Sequence, residues 1–257
     1  MDSQKSDLYA LQEDVAYRLQ GLSDPAFLPA KLCGGTALAR CWLDHRISYD
    51  LDYFLPEGFN ANKLAMALKK AGIEYAVRDM VDDPHRANQL HGYVVHGDKR
   101  LKVSFMEDAY FHVFPAIRKS LGTVVVQTEP VEGLYHRKLR TISGHGAGSD
   151  SFEGGRQKAR DVFDLHVLSQ MVSPLRPFME SLPYSFPIAA FENGLACMPW
   201  FDLVDELREI VCEPKWAHAK DMVFLQDALY TQIGMITIND ETRPSEDDPL
   251  SPHRKPS

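Results

Sequence analysis

One stretch constrains this chain more than any other: Cys33-Gly34-Gly35-Thr36-Ala37-Leu38-Ala39-Arg40, followed closely by Asp50-Leu51-Asp52. Adjacent glycines let a backbone pass close to a bulky anion, and a helix starting there offers it unpaired N–H groups. On a strand, residues two apart project to the same face. The pattern predicts a strand over 50–55 in which Asp50 and Asp52 face one way and Leu51 and Tyr53 the other. Two hard-oxygen ligands beside a phosphate-sized cradle outline a site for a divalent cation, Mg2+ or Mn2+. Taken singly, a Gly-Gly pair is a tight turn and Asp-x-Asp two solvated charges. The intervening residues join them, because Leu38 and Trp42 make the buried side of a helix over 36–44 and Asp44 to Ser48 return the chain to the acidic strand.

Strand and helix signals alternate around this feature. Leu8, Leu11, Val15, Leu19 and Leu22 fall at helical spacing, predicting an amphipathic helix over 6–22. A strand over 28–33 enters the glycine pair, and Asn60 caps a helix through Lys70 that Gly72 closes. A strand over 73–79 follows. Val94 to His96 and Arg100 to Phe105 then form a hairpin around Gly97-Asp98, and another strand covers 123–127. After Pro130 the signal turns helical, over 130–143, 157–172, 190–211 with breaks, and 215–232. The glycine-rich His145 to Gly155 reads as a connector, and the Pro, Ser and charge content of 240–257 as a disordered tail. The expected organisation is α+β: a domain over 1–129 with a mixed sheet, a helical domain over 130–239 and the tail.

Gly34 to Arg40, then His45-Arg46-Ile47-Ser48-Tyr49-Asp50-Leu51-Asp52-Tyr53-Phe54-Leu55, closely resembles the opening motif of the abortive-infection nucleotidyltransferase toxins of the AbiEii/AbiGii type. Lys138-Leu139-Arg140, then Arg156 to Leu165, is similar to that family's basic helix and its Lys/Arg-Asp-x-x-Asp-Leu motif. The resemblance covers residues 28 to 170 well. It implies a polymerase-β-like nucleotidyltransferase core and transfer of a nucleoside monophosphate from a nucleoside triphosphate (NTP) to an acceptor, RNA of tRNA type. It also implies a toxin–antitoxin or phage-defence setting, with a transcriptional regulator as cognate antitoxin.

Roles follow for the residues that match. Asp50 and Asp52 are the metal ligands. Gly34, Gly35 and Thr36 form the phosphate cradle, the last with its hydroxyl. Lys138 contacts the triphosphate, and Arg137, Arg140 and Lys158 either join it or are solvated. Arg46 and Ser48 position the Asp50 loop or a phosphate. The resemblance makes Asp161 a functional acid; Asp164, three residues on, shares its helix face and either reaches the site or pairs with a core arginine. Many enzymes of this type carry a third carboxylate on a strand antiparallel to the Asp-x-Asp strand. Here Leu101-Lys102-Val103-Ser104-Phe105-Met106 offers Ser104 instead, leaving Asp161, or more weakly Glu107 or Asp108, as the base toward the acceptor, or else solvent to take its proton.

Composition narrows the class. A net charge of −8 disfavours a chain coated for nucleic acid, although Lys and Arg cluster between Leu134 and Arg160 as a basic strip. The N-terminus lacks a signal-peptide pattern and no apolar run approaches a membrane span. The four cysteines show no CxxC pairing, which points to a reduced, cytoplasmic setting. Cys41 and His45 have zinc-ligand spacing without a second pair to complete a tetrahedral site. Two other functions stay open on sequence: a small-molecule nucleotidyltransferase, with an acidic acceptor pocket from 202–213, and a nucleotide- or RNA-binding module whose chemistry has lapsed.

Overall fold

The computed structural model describes residues 2–24, 26–83, 85–143 and 157–235; the connector over 145–155, Arg156 and the tail over 240–257 lie outside them. The chain divides into two units. The first is Met1–Thr141 with Ile210–Trp216, and the second runs Ile142–Glu209 and resumes at Ala217. The division therefore falls inside a helix, eleven residues or so beyond the Pro130 boundary read from composition.

In the first unit α1 (Asp2–Gln20) precedes β1 (Lys31–Cys33). The glycine pair then opens α2, one α-turn over Gly34–Thr36 that widens into a π-helix over Ala37–Leu43. Its end is set by Asp44 in the left-handed region (φ 44), whose N–H reaches back to the Ala39 carbonyl. β2 is Leu51–Leu55, and α3 is Ala61–Lys70, with the Asn60 side chain accepting from the Lys63 N–H at 2.7 Å. β3 (Tyr75–Val81), β4 (Gln89–His96) and β5 (Lys99–Glu107) complete a five-stranded sheet in the order β1-β2-β5-β4-β3. β6 (Ile117–Leu121) and β7 (Val124–Thr128) form a separate hairpin, and α4 spans Val131–Ser143. β6 and the first half of β4 lack a clean alternation of apolar and polar residues, which is why the sequence does not announce them.

One face of the sheet is core. Leu51, Tyr53 and Leu55 on β2, Leu101, Val103 and Phe105 on β5, and Leu90 and Val94 on β4 are all buried. Tyr53 stacks on Phe105 at 5.7 Å, with Phe27 edge-on to both. Such pairs add about 0.5–1.5 kcal/mol beyond area burial. β5 lies parallel to β2, not antiparallel as the sequence reading assumed for the strand bearing the third carboxylate. β4 and β5 are antiparallel to each other, and it is β5, the hairpin's second arm, that docks against β2.

A buried charge cluster lies at the β1–β2 end. Lys31 Nζ donates to the carbonyls of Phe111 and Phe114 and pairs with Glu129 at 3.2 Å. Arg137 on α4 grips Glu129 through Nε and Nη2, both at 2.8 Å, and Asp108 at 2.7 Å, with its guanidinium 4.1 Å from the Phe54 ring centroid. Every charge in the cluster thus meets an opposite one, as desolvated ions require.

The second unit is helical. α5 (Ala159–Met171) packs with α8 (Val204–Glu209) and α9 (Met222–Ile233); α6 (Leu175–Ser181) also packs on α9, and α7 (Ile188–Ala196) lies between α6 and a 3-10 turn over Trp200–Leu203 in the chain. Aromatics fill its interior: Phe191 and Trp200 are buried, and the Trp200 indole N–H donates to Tyr230 Oη at 3.2 Å. A second 3-10 turn, Pro214–Lys220, straddles the division.

Removing one member of a buried pair strands the other. Asp108→Ala is expected to cost about 3–5 kcal/mol in urea unfolding. Burial alone raises the Asp108 carboxyl, but Arg137 and Arg140 outweigh it and hold it below the usual carboxylate range. Its contribution is therefore complete above an unfolded-state value of about 3.9 and lost as pH falls through the lower folded value. Unfolding midpoints measured across that window should fall in the wild type more steeply than in Asp108→Ala.

Candidate active site

β1 delivers the chain to Gly34, which takes φ +69, a region that costs an L-residue roughly 1–2 kcal/mol. Conformation is only half of the reason for glycine here. A Cβ on Gly34 would stand 2.5 Å from Asp52 Oδ2 and 3.0 Å from Asp52 Cβ, so the carboxylate lies directly against the turn. Strand pairing causes this, since Cys33 and Asp52 are register partners in β1 and β2. A Cβ on Gly35 would likewise stand 2.6 Å from Arg46 Nη2 and 2.9 Å from Ser48 Oγ. The Thr36 hydroxyl donates to the Asp50 carbonyl, which ties the helix start to the residue before β2. The turn over 34–36 thus meets Arg46, Ser48, Asp50 and Asp52.

Thr36 departs from its expected role, because its buried hydroxyl is committed to the Asp50 backbone rather than presented to a ligand. Arg46 and Ser48 are buried and built into the loop. Arg46 Nη1 donates to the Ile47 carbonyl at 2.9 Å, and the Gln12 amide of α1 donates to the Ser48 carbonyl at 2.8 Å. The segment returning from the helical half, 210–216, secures the same loop. Ile47 N–H donates to the Val211 carbonyl at 2.8 Å and Glu213 N–H to the His45 carbonyl at 3.0 Å, around a bridge between Arg46 and Cys212. Arg40, which closes the first motif, anchors it to α1 through Glu13 at 2.5 Å, Gln12 at 3.1 Å and the Tyr9 carbonyl at 3.2 Å.

Asp50 is 7% exposed, with Lys102 Nζ 3.8 Å from its Oδ2. Lys102 is a charged neighbour that the sequence reading left without a role. Only the pairing of β2 with β5 brings it there, and that pairing is invisible in local patterns. Ser104, the residue weighed for the third-acid position, is the register partner of Asp52 on β5. The two weaker candidates for that duty are held elsewhere. Asp108 pairs with Arg137 and Arg140, and Glu107 accepts from the N–H groups of Gly58 and Asn88, both at 2.8 Å.

Nor is the basic strip a free surface. Arg137 is buried in its ion pairs, and Arg140 bonds Asp108 at 3.0 Å while lying on the Tyr110 ring. Lys158 pairs with Glu206 at 2.9 Å within the second unit. Lys138 follows Arg137 on α4 and is buried; Asp161 and Asp164 are fully buried on α5 in the second unit. His136, beside Arg137 and Arg140, is pushed down to about 3 by burial and by their charge, so it is neutral at any physiological pH. Cys33 lies buried at the cradle, and burial pushes its thiol well above the usual range, which makes it inert.

Among the described residues no group of three or more His, Cys, Asp or Glu gathers as a ready metal cage. A magnesium site does not need one: one or two carboxylates suffice where substrate phosphates and water supply the other ligands. Asp50, with a cation already 3.8 Å from its Oδ2, and Asp52, lying on the glycine turn, fit that donor set.

The comparisons with known proteins decide the family. The model described as nucleotidyl transferase AbiEii toxin, Type IV TA system, matches residues 19–228. The chain belongs to the AbiEii nucleotidyltransferase toxin family. Membership makes it a nucleotidyltransferase of a toxin–antitoxin system. A solved Helicobacter pylori chain assigned as a candidate nucleotidyltransferase is 18% identical, with 90% of this chain and 96% of that one covered and a TM-score of 0.50; it shares the fold. JHP933 from Helicobacter pylori (18% identity, 93% and 94% covered, TM-score 0.46) is also similar. So is an antigenic nucleotidyltransferase-like protein from Paracoccidioides brasiliensis (14%, 84% and 92%, TM-score 0.43). No curated protein matches. No helix among the described residues is long and apolar enough to cross a membrane.

Gly34→Ala tests the close approach in this AbiEii-family chain. It is expected to lose nucleotidyl transfer almost entirely, and thermal unfolding should show a cost above the roughly 1–2 kcal/mol of the backbone conformation alone, because Asp52 must also move. Gly35→Ala meets the movable ends of Arg46 and Ser48 and should retain more activity in the same assay.

Proposed function

We propose that this chain transfers a nucleoside monophosphate from an NTP to an RNA acceptor of tRNA type, with Mg2+ or Mn2+, as the toxin of a toxin–antitoxin pair active in phage defence. The observation carrying this reading is the contact of the Asp52 carboxylate with the Gly34 backbone, beside Asp50 fastened by Thr36. A triphosphate on the turn over 34–36 would meet backbone N–H groups on one side and the two carboxylates on the other.

Asp50 and Asp52 would hold the ion, which when bound would offset charge on the triphosphate and make its α-phosphorus more electrophilic. Lys102 balances Asp50 in the protein alone and would yield its place to the ion. The π-widened α2 and the loop pinned by segment 210–216 keep the cradle from opening, so the positions of Arg46 and Ser48 are fixed before a ligand arrives. Lys138 is assigned to the triphosphate and Asp161 to the functional acid on the family motif. A transcriptional regulator is the expected antitoxin, and the cytoplasm the expected compartment. The small-molecule reading draws less support, since Glu206 of the acidic stretch is engaged by Lys158 and by the Ala159 N–H.

The test is incubation of the protein and magnesium with each α-labelled NTP, offering total RNA or a panel of aminoglycoside-like hydroxyl compounds. Label should enter RNA of tRNA size. Asp50→Ala and Asp52→Ala should fall to background and relieve growth arrest on expression, and Lys138→Ala and Asp161→Ala should lose roughly 10²–10³-fold. Label entering only the small molecules overturns the RNA acceptor, and full transfer by both aspartate variants overturns the site.

A further inference from the structure

Register pairing lines up one residue from each strand across the sheet: Cys33 on β1, Asp52 on β2, Ser104 on β5, His91 on β4 and Asp79 on β3. Cross-strand partners share a face, so His91 stands in the row of Asp52, one strand beyond Ser104. Strands lie about 4.8 Å apart, which puts the His91 backbone about 10 Å from that of Asp52. The serine between them is short and buried and puts no carboxylate in the row between Asp52 and the imidazole. We propose that His91 is the general base toward the acceptor hydroxyl, replacing the carboxylate that Ser104 does not supply. This inference rests on the nucleotidyl-transfer reading above and assigns the acceptor side of the same site.

The local chemistry suits the task. His91 is half-buried, and its Nε2 lies 2.8 Å from Gln89 Oε1. A carboxamide oxygen only accepts, so Nε2 carries the proton and Nδ1 keeps the lone pair. Burial and Lys102, diagonal to the ring on β5, hold its proton affinity below the ordinary imidazole value, against Asp79 opposite it on β3. It is therefore neutral at pH 7 and ready to accept. In the step, the acceptor O–H bond breaks and its proton passes to Nδ1. The oxygen's electron pair forms the bond to the α-phosphorus, the α–β bridging bond breaks, and pyrophosphate leaves. The imidazolium then returns its proton to solvent.

The experiment compares wild type, His91→Gln, His91→Ala and Asp52→Asn, using α-labelled NTP, magnesium and total RNA, with binding of a non-hydrolysable NTP measured alongside. Both His91 variants should lose roughly 10²–10⁴-fold in kcat, bind the analogue as the wild type does, and lose the acid limb of the pH–rate profile. Added imidazole should restore turnover to His91→Ala and not to Asp52→Asn. Nitrogen-15 spectra of the metal-free protein should give His91 as the neutral Nε2–H tautomer at pH 7. Near-normal kcat in His91→Gln, a loss without rescue and with an unchanged pH profile, or a charged or Nδ1–H imidazole overturns the base while leaving the transfer reading intact. Wild-type turnover in Asp52→Asn, or no transfer by the wild type, counts against that reading itself, and the spectra still decide the state of His91.

Discussion

Everything at the candidate site depends on how closely β1 and β2 approach at one register position. Pairing Cys33 with Asp52 places the next residue, Gly34, under the carboxylate, at a distance that excludes any side chain. An acid packed directly on a glycine backbone is an arrangement that a ligand of mixed charge, a phosphate with its cation, would bridge. The close approach is a consequence of strand pairing rather than of a mobile loop. The fixing of the 45–48 loop by α1 on one side and segment 210–216 on the other serves the same end.

The buried ions at the β1–β2 end explain why a run of basic residues on α4 does not serve a ligand directly. Arg137 is spent on Glu129 and Asp108, and Arg140 on Asp108. These pairs fasten α4 to the edge of the sheet, and in doing so fix the height of Lys138 on its helix. Two members of the basic motif therefore hold the helix, a role that the sequence pattern alone does not distinguish from contact with a ligand.

Much of the fold was legible in the sequence. The Asn60 cap, the Gly97 hairpin turn and the alternation over 51–55 each have a local cause that a reader of the residues can name. Less legible were β6, hidden in Ile117-Arg118-Lys119-Ser120-Leu121, and the boundary between units, which falls within α4. Neither carries a local signal, because an edge hairpin and a shared helix are stabilised by what packs on them.

By itself the sequence determined the chemistry on offer: a glycine pair that only a close approach requires, two carboxylates of the same parity, and a motif pattern that the AbiEii family match bears out. Local periodicity is enough for that, since parity on a strand is a property of the chain alone. The tertiary structure decided which groups become neighbours. It set β5 parallel to β2, brought Lys102 to Asp50 and Ser104 to Asp52, and returned residues 210–216 to the loop of Arg46. Such pairings join residues far apart in sequence, and the free energy that selects them comes from burying the sheet's other face, a quantity no short window contains.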